Sequence, residues 1–249
     1  MQDFKRGTIR ANQLTFEYLT EGDGPLALCV HGFPDSPFSY RYLLPALAEA
    51  GYRAVAPFNR GFAPTELPDD RHHIHSSTMA VDQIALHEAL GGGSDAILIA
   101  HDWGAVGAWG AAGKEPDRWR RCVVLNIPPF AIFGENIVTY DQIKRSFYFW
   151  YFQNQRVAED VIRADDFAFI DNIWADWSPA TTPLRTCLRS RSASATRRIS
   201  RPPWATTGDS STRTGSARRN GPPSRRRPGA RTSPSPPCIY TAPRTAATA

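Results

Sequence analysis

One stretch of ten residues, 96–105, constrains the fold of this chain more than any other. It reads Ala-Ile-Leu-Ile-Ala-His-Asp-Trp-Gly-Ala. An apolar run stops abruptly at Asp102, which has a small residue two positions away on either side, Ala100 and Gly104. Because a backbone bend this tight leaves no room for large neighbours, the pattern predicts a strand, a sharp turn and a helix. Asp102 is expected at the turn, at the carboxyl end of the strand.

An aspartate at such a turn suggests one of two roles. Turns of this type commonly present a serine nucleophile, and a carboxylate in the same place would attack carbon and leave an ester. The alternative is a plain helix N-cap, a position that Asp favours. We favour the nucleophile, because the small residues flank Asp102 on both sides.

Strand and helix patterns alternate through the first 130 residues. Apolar runs of the kind found in strands buried on both faces, together with one alternating run near the start, predict strands at residues 8–9, 14–18, 26–30, 53–57, 96–101 and 122–126. Predicted helices occupy residues 43–50 and 78–90. The alternation predicts an α/β fold with a mostly parallel sheet behind an opening antiparallel pair.

The character of the chain changes after Phe130. Residues 140–152 predict a helix with six consecutive aromatic residues, 147–152. One helix cannot turn six neighbours toward a single core, so we expect this segment to lie between two surfaces, as a lid over a pocket does. The chain is therefore divided into a core part at 1–130, a partial helical lid at 131–179 and a tail at 180–249.

The tail is a low-complexity segment rich in Arg, Ser, Thr, Pro and Ala. Residues 181–249 contain no lysine and one acidic residue, Asp209, whereas the preceding residues carry a net negative charge. Such a composition buries too little apolar surface to offset its ordering entropy, which predicts disorder. A non-catalytic protein whose basic tail binds nucleic acid is the alternative from another functional class. The tail lacks interleaved aromatic residues and any nucleic-acid-binding signature, which argues against that partner.

Other features exclude several classes of protein. The first ten residues are polar and charged, so we expect no signal peptide, and no apolar run approaches the length that spans a membrane. The four cysteines show no metal or disulfide spacing, which predicts reduced thiols in the cytoplasm. His72, His73 and His75 lack a carboxylate or cysteine at ligand spacing, so we expect no metal site.

Several motifs, in order and at the right spacing over residues 8–178, resemble the α/β-hydrolase fold. Within that fold they resemble the branch of epoxide hydrolases and haloalkane dehalogenases. They are His31-Gly32-Phe33-Pro34, Tyr52-Arg53-Ala54-Val55-Ala56-Pro57, Asn59-Arg60-Gly61 and His101-Asp102-Trp103-Gly104-Ala105. The lid segment resembles that of epoxide hydrolases, in which a proton-donating tyrosine lies five residues before a glutamine, as Tyr148 lies before Gln153. Two departures are Ala100, where the family usually has Gly, and Phe58, where it often has Asp.

The resemblance implies a cofactor-free reaction of a small epoxide with Asp102 and then with water. Tyr148 would protonate the epoxide oxygen, and the backbone N–H groups of Phe33 and Trp103 would form the oxyanion hole. Supporting positions are His31, Gly32, Pro34 and Gly104. The rival within the family is a haloalkane dehalogenase acting on an alkyl halide, with the Trp103 indole N–H binding the halide.

The general base expected of the family is missing from this sequence. The family's histidine and its acid partner lie after the lid, whereas the last of the six histidines here is His101. We therefore expect turnover to be impaired at hydrolysis of the ester.

The tail composition is typical of GC-rich coding sequence read out of phase. A one-base shift permits Leu-Gly-Tyr-Tyr across residues 204–207 and Leu-Tyr-Leu-His-Gly-Ala-Ala-Asp-Gly-Cys across 238–247, which resemble the second lid tyrosine and the last catalytic strand. We expect a frameshifted and truncated end.

Overall fold

A six-stranded sheet organises the described part of the chain, residues 3–68 and 75–178 of a computed structural model. The strands are β1 (Lys5–Ala11), β2 (Leu14–Glu21), β3 (Leu26–Val30), β4 (Arg53–Pro57), β5 (Ile97–His101) and β6 (Arg121–Leu125). Their order in the sheet is β1-β2-β4-β3-β5-β6. β2 pairs antiparallel with β1 and β4, and the other neighbours pair in parallel.

The strand order places a topological switch beside β3. The chain passes from β3 to its neighbour β4, then returns across β3 to enter β5 on the other side. The carboxyl ends of β3 and β5 therefore border the place where the direction of winding reverses. In open α/β sheets, ligands bind in the crevice at such a point.

Eight α-helices lie within the described ranges, and the first three of them pack against the sheet. They are α1 (Leu43–Glu49), α2 (Ser76–Ala89) and α3 (Trp103–Lys114), followed by α4 (Phe130–Asn136), α5 (Tyr140–Arg145), α6 (Phe147–Tyr151), α7 (Gln155–Arg163) and α8 (Ala168–Trp177). Leu44 of α1 packs with Cys29 and Ile99 on one face. Ile84 of α2 and Ala108 of α3 belong to the core on the other face. β3 is buried along its whole length, as its uninterrupted apolar sequence predicts.

The lid segment contains two helices where the sequence predicts one. α5 and α6 are separated at Ser146, whose φ of −105° and ψ of 21° interrupt the helix. The Gln142 side chain donates to the Ser146 hydroxyl at 2.6 Å and stabilises this break. Beyond it, Tyr148 and Phe152 lie one turn apart and are both buried, whereas Trp150 is 52% exposed. The aromatic pattern could not reveal the break, because every position from 147 to 152 is apolar or amphipathic.

The predicted fold class is confirmed. The strands expected at residues 26–30 and 53–57 are observed at those positions, and the one expected at 122–126 lies one residue earlier, at Arg121–Leu125. Among the described residues, no helix has the length and apolar character needed to cross a bilayer. The disordered tail at 180–249 and the exposure of His72 and His73 concern residues outside the described ranges.

Candidate active site

Asp102 occupies a sharp bend between β5 and α3. Its φ of 51° and ψ of −122° lie outside the regions that a side-chain-bearing residue normally adopts, a conformation that costs about 1–3 kcal/mol. The backbone hydrogen bonds hold it there: the Asp102 carbonyl accepts from Val106 N–H at 3.1 Å and opens α3. A Cβ atom at Gly104 would lie 2.2 Å from the Val30 carbonyl oxygen, so only glycine fits this close approach.

The loop after β3 forms the wall facing Asp102. The Phe33 N–H donates to Asp102 Oδ1 at 2.8 Å. A Cβ atom at Gly32 would lie 2.3 Å from the same oxygen, so glycine is required for the approach. Pro34 follows a cis peptide bond with Phe33. Two of the motifs quoted from the sequence, 70 residues apart, thus meet at one carboxylate.

Several opposing effects act on the Asp102 carboxylate. Burial is the largest effect and leaves the pKa of Asp102 above its ordinary value, although the backbone N–H groups of Phe33 and Trp103 and the neighbouring His101 lower it. The two N–H groups named as an oxyanion hole therefore both act on the Asp102 carboxylate. Because they contact the charged form, they stabilise the ionised side chain that a nucleophile needs.

His31 is a buried residue that ties the wall loop to the loop after β4. Its Nδ1–H donates to the Gly32 carbonyl at 2.9 Å, and its Nε2 accepts from Asn59 N–H at 3.2 Å. Asn59 Nδ2 also donates to the His31 carbonyl at 2.6 Å. Burial lowers the pKa of His31 to about 4, so the ring is neutral. With both nitrogens engaged, His31 has no means of activating a water.

Asp35 is a site residue that the sequence reasoning missed. Burial, with a smaller contribution from the negative charge of Asp102, raises its pKa to about 6. Its carboxylate accepts from Ser36 N–H at 2.9 Å and from the Ser39 hydroxyl. The sequence signal for Asp35 is its position directly after the His31–Pro34 motif. Only the fold shows that its carboxyl group is buried near that of Asp102.

Tyr148 reaches the same site from the lid. Its ring stacks on that of Phe33 with the ring centroids 5.4 Å apart. It also contacts Trp177 of α8, with the ring centroids 5.2 Å apart. Burial and the charge of Asp102 raise the pKa of Tyr148. The Trp103 indole N–H opposes this shift, although it makes no hydrogen bond of normal geometry among the described residues. The structure therefore brings together Asp102, Phe33, Trp103 and Tyr148.

The histidines of the described residues offer no evident base. His75 is exposed and contacts the Ser77 hydroxyl at 2.6 Å, while His87 is buried beside the Gly93 carbonyl at 3.1 Å. His101 ends β5 next to Asp102. None follows the lid in the sequence.

The family assignment follows from a comparison with known families. A model of the alpha/beta hydrolase fold family matches residues 25–226 of this chain. The chain belongs to this family. The matched range includes the elbow at Asp102, the loop at Phe33 and the lid segment with Tyr148, and it continues into the Arg-rich residues after 180.

Known relatives of this α/β-hydrolase include several epoxide hydrolases. An epoxide hydrolase of Caballeronia sordidicola is 36% identical over 188 residues, which cover 70% of this chain and 56% of the relative. Epoxide hydrolase 2 of Siraitia grosvenorii is 33% identical over 175 residues, which cover 69% of this chain and 53% of that relative. The crystal structure of an epoxide hydrolase from Vigna radiata matches with a TM-score of 0.53 at 31% identity, over 61% of this chain and 48% of that one. The chain thus spans about half the length of the relatives it matches.

Proposed function

We propose that this α/β-hydrolase opens epoxides by attack of Asp102 on a ring carbon. The main support is the geometry at the sharp bend: Oδ1 of the Asp102 carboxylate accepts a hydrogen bond from the Phe33 N–H at 2.8 Å, and the buried Tyr148 stacks on Phe33. The names of the relatives from Caballeronia sordidicola and Siraitia grosvenorii support the choice of an epoxide.

Asp102 acts in its ionised form. With Oδ1 held by the Phe33 N–H, the other carboxylate oxygen attacks a carbon of the ring. The bond from that carbon to the ring oxygen breaks, and its electron pair stays on the oxygen. The amino end of α3 adds a favourable potential, because helix N-termini stabilise negative charge. The product of this step is a hydroxyalkyl ester of Asp102.

Tyr148 supplies the proton that the ring oxygen needs. Burial and the charge of Asp102 raise its pKa, so the phenol is protonated when the epoxide enters. As the ester forms, the charge of Asp102 disappears, and with it one of the two causes that disfavour tyrosinate. The Trp103 indole N–H stabilises the tyrosinate further. Tyr148 thus becomes a better acid as the reaction proceeds, which is the property required of a general acid.

The second half of the reaction requires a water that has lost a proton. The N–H groups of Phe33 and Trp103 would hold the oxyanion of the tetrahedral intermediate at Asp102. A polypeptide of these 249 residues has no histidine after the lid to accept the proton, and His31 is engaged on both sides. We therefore expect the ester to accumulate.

Mass spectrometry of the intact chain tests both halves of this proposal. Incubation with an excess of an aryl epoxide is expected to add the mass of one epoxide per chain, and Asp102→Asn is expected to add none. Diol is expected at no more than one equivalent. A folded chain that gains no mass would refute the nucleophile, and many equivalents of diol would refute the missing base.

A second candidate function is that of a haloalkane dehalogenase. It is favoured by the buried Trp103 indole N–H, which makes no hydrogen bond of normal geometry among the described residues and could turn from Tyr148 to a leaving halide. A halide leaves without a proton, so Tyr148→Phe separates the candidates: it should slow the epoxide reaction and spare halide release. Bromide release from an alkyl bromide, with no reaction of the epoxide, would favour the dehalogenase.

We propose a cytoplasmic location, which the free thiols of Cys29 and Cys122 support. The out-of-frame origin of residues 180–249 is tested by the DNA around codons 175–185, where one inserted or deleted base is expected against a close relative. Salt-sensitive DNA binding by the full chain would instead support a nucleic-acid-binding tail.

A further inference from the structure

Asn126 contacts the elbow from the neighbouring strand. It directly follows β6, whose last paired residue, Leu125, faces His101 of β5. The next N–H on β5, that of Asp102, donates to Asn126 Oδ1 at 3.0 Å. The Asn126 side chain therefore extends the connection between the two strands one residue beyond the paired backbone, to the residue that bears the reacting carboxylate.

The backbone at Asn126 restricts which residues can do this. Its φ is 59°, in the left-handed region that asparagine, aspartate and glycine tolerate best. Glycine offers no side-chain acceptor, and aspartate would add a negative charge near Asp102. Asparagine alone among the three provides a neutral acceptor in this conformation.

The neutral side chain of Asn126 matters because other charged and titratable groups already surround Asp102. His101 lowers the pKa of Asp102, and the charge of Asp102 raises the pKa values of Asp35 and Tyr148. Asp35 already supplies one negative charge from the loop after β3. A second one from the β6 side would disfavour ionised Asp102 from the opposite direction.

We infer that Asn126 is a positioning residue for Asp102, which holds the elbow in its reactive conformation through the Asp102 N–H without adding charge. The inference rests on the proposed attack of Asp102 on an epoxide. It goes beyond that proposal by assigning a role to a residue that touches neither substrate nor the reacting oxygen. Because Asn126 is exposed, water can replace part of its hydrogen bond, and a moderate effect on rate is expected.

The test measures the rate of formation of the Asp102 ester with an aryl epoxide, as a function of pH, in the full chain. Asn126→Gly keeps the backbone conformation and loses the acceptor, so the plateau rate is expected to fall about five-fold, with an unchanged pH midpoint. Asn126→Asp keeps the acceptor and adds a charge. Its plateau is expected near the wild-type rate, with a midpoint about one pH unit higher. Asn136→Asp, which adds the same charge at the end of α4, is the matched control.

The outcomes separate this inference from the proposed function. If the wild-type chain forms no ester, the proposed function fails and the role of Asn126 in it fails too. If the wild-type chain forms the ester and Asn126→Gly forms it equally fast, the inference alone is refuted. An Asn126→Asp plateau as low as that of Asn126→Gly, or a midpoint shift equal to that of Asn136→Asp, would also refute it. A purely structural role would change stability without the split between plateau and midpoint.

Discussion

The buried His31 should make the stability of the chain depend on pH in a direction that can be calculated. Burial lowers its pKa from 6.5 to about 4 in the folded chain. Between these values the unfolded chain binds more protons, so the free energy of unfolding falls as pH falls through that window. The contribution lost between pH 7 and pH 4 is about 3 kcal/mol, from about 1.4 kcal/mol per unit of pKa difference.

Asp35 acts in the opposite direction. Burial raises its pKa from 3.8 to about 6, so the folded chain binds more protons between those values. Its contribution is present at low pH and is lost as pH rises through 6, by about 2 kcal/mol between pH 4 and pH 7. The two contributions oppose each other and leave a net loss of about 1 kcal/mol between pH 7 and pH 4, so the wild-type profile should be flatter than either residue alone would make it.

Urea unfolding of the wild type and of His31→Gln at pH 4, 5, 6 and 7 tests this account. Loss of packing lowers the stability of the variant at every pH, so the quantity of interest is how its difference from wild type changes with pH. We expect that difference to shift by about 3 kcal/mol in favour of the variant on going from pH 7 to pH 4. Asp35→Asn should shift by about 2 kcal/mol in the other direction. A difference for His31→Gln that stays constant across the series would refute a buried, neutral ring.

Three further substitutions test the site and its supports. Gly32→Ala places a Cβ atom 2.3 Å from Asp102 Oδ1, so ester formation should fall by at least about 100-fold while circular dichroism is unchanged; a wild-type rate would contradict the geometry. Tyr148→Phe removes the proton donor and should slow ester formation with an aryl epoxide about 100-fold; an unchanged rate would exclude Tyr148 as the acid. Asp82→Ala removes the carboxylate whose Oδ1 lies 2.6 Å from Nη2 of the buried Arg60, and it should lower the free energy of unfolding by about 3–5 kcal/mol. The double variant Arg60→Met with Asp82→Leu should cost less, as urea unfolding would show; an equal cost would contradict this reasoning.

The sequence predicts the elements that short-range physics determines. Apolar runs such as 26–30 predict buried strands because such a strand needs apolar residues on both faces. The elbow at Asp102 is predictable because its small neighbours are a steric requirement of the bend itself, as the contact at Gly104 shows.

The remainder depends on contacts between residues far apart in the sequence. Asn126 meets Asp102 through the register of two parallel strands, which no local pattern reveals. The raised pKa of Asp35 comes from burial by the complete fold. The sequence does not predict the helix break at Ser146, because a hydrogen bond between two polar side chains, those of Gln142 and Ser146, leaves no trace in the hydrophobic pattern.

The central claim is that the Asp102 carboxylate is the group that reacts. Peptide mapping by tandem mass spectrometry, after the chain has reacted with an aryl epoxide, locates the modified residue most directly. The account predicts one hydroxyalkyl ester on Asp102 and none on Asp35, although that carboxyl is also buried nearby. An adduct on Asp35, Cys122 or any residue other than Asp102 would contradict it.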